Sequence, residues 1–188
     1  MTPDEFLDWI QAQDQRYELV DGVPVAMAGA KRRHDQIVVN ALAELRNQLR
    51  GGPCRPFSAD TAVRISTGNI RFPDAGVDCG RFDDEATFAP APAVVIEVLS
   101  ASTRDFDLFG KLEEYKTIPA LRHIMLVNPD DPQIIHWSRA EEGEWGYRII
   151  EGLESALEFP DLGLRLALAD LYEGLQFRIG PRLVADEA

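Results

Sequence analysis

Glu97 stands inside an apolar run, with Val94-Val95-Ile96 before it and Val98-Leu99 after it. Such a run reads as a strand buried on both faces. A carboxylate there is costly unless it is neutralised, hydrogen-bonded or bound to a cation. Asp74 is the second acid of interest, because it follows Pro73 just where the strand-like segment Ala75 to Cys79 begins. If the two strands are neighbours, these carboxylates could converge on one divalent cation. Oxygen ligands completed by water suit Mg²⁺ or Mn²⁺. The alternatives are a turn residue at Asp74 and, at Glu97, a carboxylate paired with Lys111 or an arginine. Lys111 follows on a helix expected from about Arg104 to Thr117, where Asp107, Lys111 and Tyr115 are spaced by four along one side. A lysine beside a metal can orient a water nucleophile or stabilise a pentacoordinate phosphate. The plainer reading pairs Lys111 with Asp107 at the surface. Glu18, before a tight turn, is a further metal or water ligand or else a structural hydrogen-bond acceptor. His34, at a helix start, is a core histidine or a ligand. His123 and His136 have no metal-ligand spacing and are read as structural.

These groups need a scaffold, and its elements are marked along the chain. Residues Pro3 to Gln13 form an amphipathic helix. Asp21-Gly22 is a hairpin signal between Tyr17–Val20 and Val23–Met27, with Pro24 placing the second strand at an edge. A long helix from about Lys31 to Leu49 carries the stripe Ile37, Val38, Ala41, Leu42, Leu45 and Leu49. Short strands are expected at Arg55–Ser58, Thr61–Ile65 and Ala75–Cys79, with a turn over Ser66 to Asn69. A polar, proline-rich loop runs from Arg81 to Pro92. Ser100-Ala101-Ser102-Thr103 offers N-cap hydroxyls for the Arg104–Thr117 helix, which Pro119 stops. Strands His123–Val127, Gln133–Ser138 and Tyr147–Ile150 follow, with Trp137 and Trp145 packing in the last hairpin. Short strands and a terminal turn of helix close the chain. This order implies an α/β or α+β fold, a sheet flanked by helices, in one domain spanning 1–188 with a right-handed crossover through the Arg104–Thr117 helix.

Composition narrows the classes. The 188 residues carry 45% apolar and 27% charged side chains, ordinary for a globular protein. Charges interrupt every apolar run well short of the ~20 residues a membrane helix needs, so no membrane partner is expected. The acidic N-terminus lacks the basic start of a signal peptide. Cys54 and Cys79 are expected to be reduced, in a cytoplasmic protein. The net charge of −13 excludes non-specific nucleic-acid binding through a broad basic surface. The local cluster Lys31-Arg32-Arg33 could still contact phosphate, the alternative being a solvated helix end.

The ordered set Tyr17-Glu18-Leu19-Val20-Asp21-Gly22, His34, Pro73-Asp74, Glu97 to Thr103, then Asp107, Lys111 and Tyr115, with Leu126-Val127-Asn128-Pro129 closing it, resembles the Uma-two family of restriction-endonuclease-like proteins. That family belongs to the PD-(D/E)XK nuclease superfamily. The resemblance implies a mixed central sheet flanked by helices and Mg²⁺-dependent hydrolysis of nucleic-acid phosphodiesters, with DNA as the expected partner. It implies that Asp74 is the motif's aspartate and Glu97 its second acid. The superfamily's lysine would fall two residues after Glu97, where this chain has Leu99; in the Uma-two pattern the lysine moves to the helix, at Lys111. Glu18 matches the superfamily's early acid and His34 the family's recurrent histidine. By analogy with nucleases that cut two strands, a homodimer is expected. The rival readings are a catalytically inactive binding protein that keeps the fold, and a metal-dependent hydrolase of small phosphoesters.

Overall fold

The computed structural model describes residues 1–27, 29–99 and 107–177, with side chains from residue 109 onward in the last segment. It is a mixed α+β fold. Helix α1 (Pro3–Ile10) opens with a capping box: the Thr2 hydroxyl accepts from the Glu5 amide and the Glu5 carboxylate accepts from the Thr2 amide. The hairpin of β1 (Tyr17–Val20) and β2 (Val23–Ala26) turns at Asp21 and Gly22, whose φ angles of 49° and 77° suit a tight two-residue turn. β2 is the outer strand, where the missing Pro24 amide costs no ladder bond. Helix α2 (Arg32–Gln48) buries Ile37, Ala41 and Leu45.

The larger sheet comprises β3 (Arg55–Ser58), β6 (Ala75–Asp78), β7 (Pro92–Val98), β8 (His123–Asn128), β9 (Gln133–Arg139) and β10 (Trp145–Glu151), in spatial order β10-β9-β8-β7-β6-β3. Between them, β4 (Val63–Arg64) and β5 (Ile70–Arg71) leave this sheet and join the first hairpin in the order β2-β1-β5-β4. β7 and β8 run parallel, and helix α3 (Asp107–Lys116) lies in the connection between them, as a crossover requires. The hairpin of β11 (Ala156–Phe159) and β12 (Leu164–Ala167), then α4 (Leu168–Leu171), are the last elements among the described residues.

Period-two alternation along β7 divides the interior. Val94, Ile96 and Val98 pack with α2 and the β11–β12 hairpin, whereas Val95 packs with Leu112 and Tyr115 of α3. The same alternation sends Glu97 to the α3 side. Gly76 in β6 is required by packing: a Cβ there would lie 2.6 Å from the Val94 carbonyl oxygen and closer still to the Phe57 ring. Gly76→Ala should therefore cost about 2–3 kcal/mol through overpacking, read as a lowered urea midpoint with an unchanged slope.

Three local expectations need correction. Cys54 and Cys79 are joined in a disulfide, with a Cα separation of 4.1 Å, and are not reduced. The cause is the β3–β6 register: Arg55 pairs with Asp78, which brings the preceding and following cysteines opposite one another. The strand expected over Thr61–Ile65 is only Val63–Arg64, and the turn after it leads into a two-residue strand, β5, too short to leave a pattern. The late strand is longer than Tyr147–Ile150, spanning Trp145–Glu151. The expected helix start at Arg104 and its N-cap hydroxyls lie outside the described residues, as does the Asp107 side chain.

His123 and His136 lie together in a buried, hydrogen-bonded cluster. His123 Nε2 lies 2.9 Å from Asp161 Oδ1, and its Nδ1 lies 3.1 Å from His136 Nε2. Arg148 donates to His136 Nδ1 at 3.4 Å. One proton arrangement satisfies every contact with both rings neutral: Arg148 to His136, His136 to His123, His123 to Asp161. Burial, with His123 and Arg148 nearby, pushes the His136 pKa down to about 3, and burial lowers that of His123. Arg122, 3.9 Å from Asp161, adds a further positive charge at that end. The folded state therefore binds fewer protons than the unfolded one below the ordinary histidine pKa of 6.5. This contribution is complete above pH 6.5 and is lost as the pH falls, by at most about 1.4 kcal/mol per pH unit for one proton. His34, raised instead, loses its contribution only above that pH. Glu97, whose pKa is raised to about 7, contributes with the opposite sign over this range, so the His136 part is read as a difference: between about pH 6.5 and 5 the thermal midpoint of His136→Gln should fall less, or rise more, than that of the wild type.

Candidate active site

Asp74 sits immediately before β6, whose Ala75 pairs with Ile96 of β7, next to Glu97. Its Oδ2 accepts from the Val98 amide at 2.7 Å and lies 3.0 Å from His34 Nε2 at the start of α2. Glu97 Oε1 accepts from the Tyr115 hydroxyl at 2.6 Å and lies 3.8 Å from Lys111 Nζ. That ammonium donates to Glu18 Oε1 at 2.9 Å. All five residues singled out in the sequence thus belong to one linked neighbourhood, drawn from β1, α2, β6, β7 and α3. Lys111 pairs with Glu18 and Glu97 in three dimensions, so the reading of it as a surface lysine does not hold. Its side chain is only 15% exposed.

Three members of the network escaped the sequence reading: Asn69, Arg71 and Glu114. Glu18 Oε2 accepts from Arg71 at 2.9 Å and its Oε1 also accepts from the Phe72 amide at 3.3 Å. Arg71 then grips Glu114 with two bonds, Nε to Oε2 at 2.6 Å and Nη2 to Oε1 at 2.9 Å. Asn69 donates to Glu114 Oε1 at 2.8 Å and accepts from the Asp21 amide at 2.8 Å. Lys111, Glu114 and Tyr115 are spaced i, i+3 and i+4, so one face of α3 supplies all three. The signals available were an arginine flanked by Ile70 and Phe72, and an acid one turn beyond Lys111.

Four carboxylates (Glu18, Asp74, Glu97 and Glu114) face two permanent cations and His34. The imbalance shows in their proton affinities. Burial pushes the Glu97 pKa up to about 7, with Lys111 opposing and Asp74 adding to the rise. Burial alone would lower the Lys111 ammonium, but Glu97 and Glu18 outweigh it and raise its pKa. His34 is likewise raised: burial, the largest single effect, would lower it, but the Asp74 hydrogen bond together with the charges of Asp74, Glu97 and Asp35 outweighs burial. Glu114 is lowered: its Arg71 contacts overcome the upward effect of burial. Among the described residues, no group of three or more His, Cys, Asp or Glu side chains is arranged to hold a metal ion. Glu18 has its oxygens engaged by Lys111, Arg71 and Phe72, which leaves Asp74 and Glu97 as the acids that could receive one. Two carboxylates with water suit Mg²⁺, which holds its hydration shell firmly, and the surplus negative charge fits a divalent cation.

The profile of a protein family described as "Uma2: Putative restriction endonuclease" matches residues 3–169. This chain belongs to the Uma2 family. It is 33% identical over 181 residues to an uncharacterized protein of Synechocystis sp., covering 94% of each chain. A second uncharacterized Synechocystis protein is 25% identical over 163 residues, covering 85% of this chain and 92% of the relative. The crystal structure of a "putative nuclease belonging to DUF820" from Anabaena variabilis superposes with a TM-score of 0.73 at 17% identity, over 92% of this chain and 97% of that one. At that identity the likeness speaks for the fold, which agrees with the Uma-two resemblance drawn from the motifs. No described helix of this Uma2 chain is long and apolar enough to cross a membrane.

Proposed function

We propose that this Uma2 protein is a metal-dependent nuclease that hydrolyses phosphodiester bonds in DNA. The observation that carries the reading is the convergence of Asp74, Glu97 and Lys111, from three separate elements, in one charge-imbalanced cluster. Asp74 and Glu97 would hold Mg²⁺ or Mn²⁺. When bound, that cation would lower the pKa of a coordinated water and polarise the phosphate. Lys111 has three N–H donors, more than Glu18 can take, and presents one to the attacking water or to a non-bridging phosphate oxygen. Glu18 holds the lysine in place, Tyr115 fixes the Glu97 carboxylate, and His34 fixes Asp74. The water oxygen bonds to phosphorus as the bond to the 3′ oxygen breaks and that oxygen takes a proton, leaving a 3′-hydroxyl and a 5′-phosphate.

Lys31 and Arg32, exposed just before His34, suit phosphate contacts at the mouth of the site. Arg33 is turned away, bonded to the Gln176 carbonyl and lying 5.5 Å over the Phe177 ring. A symmetric homodimer would present two such sites to two strands. The alternative, an inactive binding protein with the same fold, is favoured by Leu99 at the usual lysine position and by the charge of −13. The test is cleavage of supercoiled plasmid and single-stranded DNA with Mg²⁺ or Mn²⁺, beside an EDTA control. Metal-dependent nicking by the wild type supports the reading, whereas DNA binding without turnover would replace it with the alternative.

A further inference from the structure

We propose that Arg71 is the positioning residue of this site, setting where the Lys111 ammonium stands; the catalytic consequence rests on the nuclease reading above. Arg71 lies on the two-residue strand β5, between the buried Ile70 and Phe72, with a side chain only 6% exposed. Its direction is therefore fixed by the core. The guanidinium is a rigid plane, so the Nη1 bond to Glu18 and the two bonds to Glu114 define the position of one carboxylate relative to the other. Glu114 is one helical turn beyond Lys111. The double grip on it thus sets both the rotation of α3 and its distance from the small sheet.

The hold on Glu18 has a second effect. Arg71 takes Oε2, which leaves Oε1 turned to Lys111 at 2.9 Å, with Glu97 Oε1 3.8 Å from the same ammonium. Without the guanidinium, Glu18 can rotate and Glu114 becomes a competing acceptor on the lysine's own helix. The ammonium would then be drawn away from Glu97. A lysine at position 71 carries one compact charge and cannot span both acids.

The test must separate positioning from stability. The double variant Arg71→Met with Glu114→Met replaces the Arg71–Glu114 pair by apolar side chains, an exchange that often leaves stability unchanged or improved, while Glu18 keeps Lys111 as its cation. The thermal midpoint should stay near that of the wild type. The kcat for metal-dependent plasmid cleavage should fall about 100-fold, the scale of a 1 Å misplacement, with KM little changed, and Arg71→Lys should lie between. A wild-type kcat in the folded double variant overturns the proposal. A second readout needs no turnover: the ¹⁵N-detected ammonium signal of Lys111, assigned by its loss in Lys111→Met. It should be sharp and slow to exchange in the wild type and broadened in the double variant. An unchanged signal overturns the positioning role whether or not DNA is cut. A wild type that cuts no DNA while the variant loses the signal overturns the nuclease reading and supports the positioning role.

Discussion

Glu97→Gln should abolish metal-dependent DNA cleavage, by about 10³-fold or more, while leaving the fold intact. Glutamine has nearly the same shape, and its amide oxygen can still accept the Tyr115 hydroxyl that the carboxylate accepts at 2.6 Å. What it lacks is the negative charge through which Glu97 would hold a cation with Asp74. Removing a charge whose burial already raises its pKa to about 7 should not unfold the protein. The discriminating measurement is a pair: plasmid nicking against Mg²⁺ concentration, and a thermal melt of the same sample. Loss of nicking with a retained melting transition assigns the charge to catalysis. Undiminished nicking would remove Glu97 from the mechanism.

Lys111→Met should lose both activity and stability, and the two losses can be separated. The methionine leaves Glu18 and Glu97 without their shared cation in a site where these side chains are only 9% and 12% exposed. Breaking a buried pair from one side costs about 3–5 kcal/mol. Adding Glu18→Gln removes one of the two charges the lysine balanced, Glu18 having only Arg71 as its remaining cation, and should restore part of that loss in a urea titration. It should not restore cleavage, since no ammonium remains to meet the water or the phosphate. Recovery of cleavage in the double variant would show that the lysine serves only to neutralise Glu18.

The acids were legible because their surroundings are anomalous for their type. A charge inside Val94 to Leu99 demands an explanation, and Asp74 marks a strand start after proline. Lys111 and Tyr115 were legible through helical spacing, but the partner of the lysine was not. Sequence proximity favours Asp107, whereas the pairing observed is with Glu18, 93 residues away; within the site, low exposure gives that pair more weight than a solvated one would have. Arg71 was hidden for a related reason. Its contacts reach across 53 residues to Glu18 and 43 to Glu114, from a strand with no periodicity to read. The fold class followed from the alternation of helices with strands. The second small sheet did not, because β4 and β5 are two residues each.

The bridge between Cys54 and Cys79 closes a loop that contains Asn69, Arg71 and Asp74. A protease that cut the exposed turn at Ser66-Thr67 would sever the backbone inside that loop without releasing either piece. The nicked chain would keep its mass and migrate as one species until a thiol was added. Only then would the fragment bearing Glu18 and His34 part from the one bearing Asp74, Glu97 and Lys111. The covalent tie thus guards the assembly of the site against backbone damage as well as against heat.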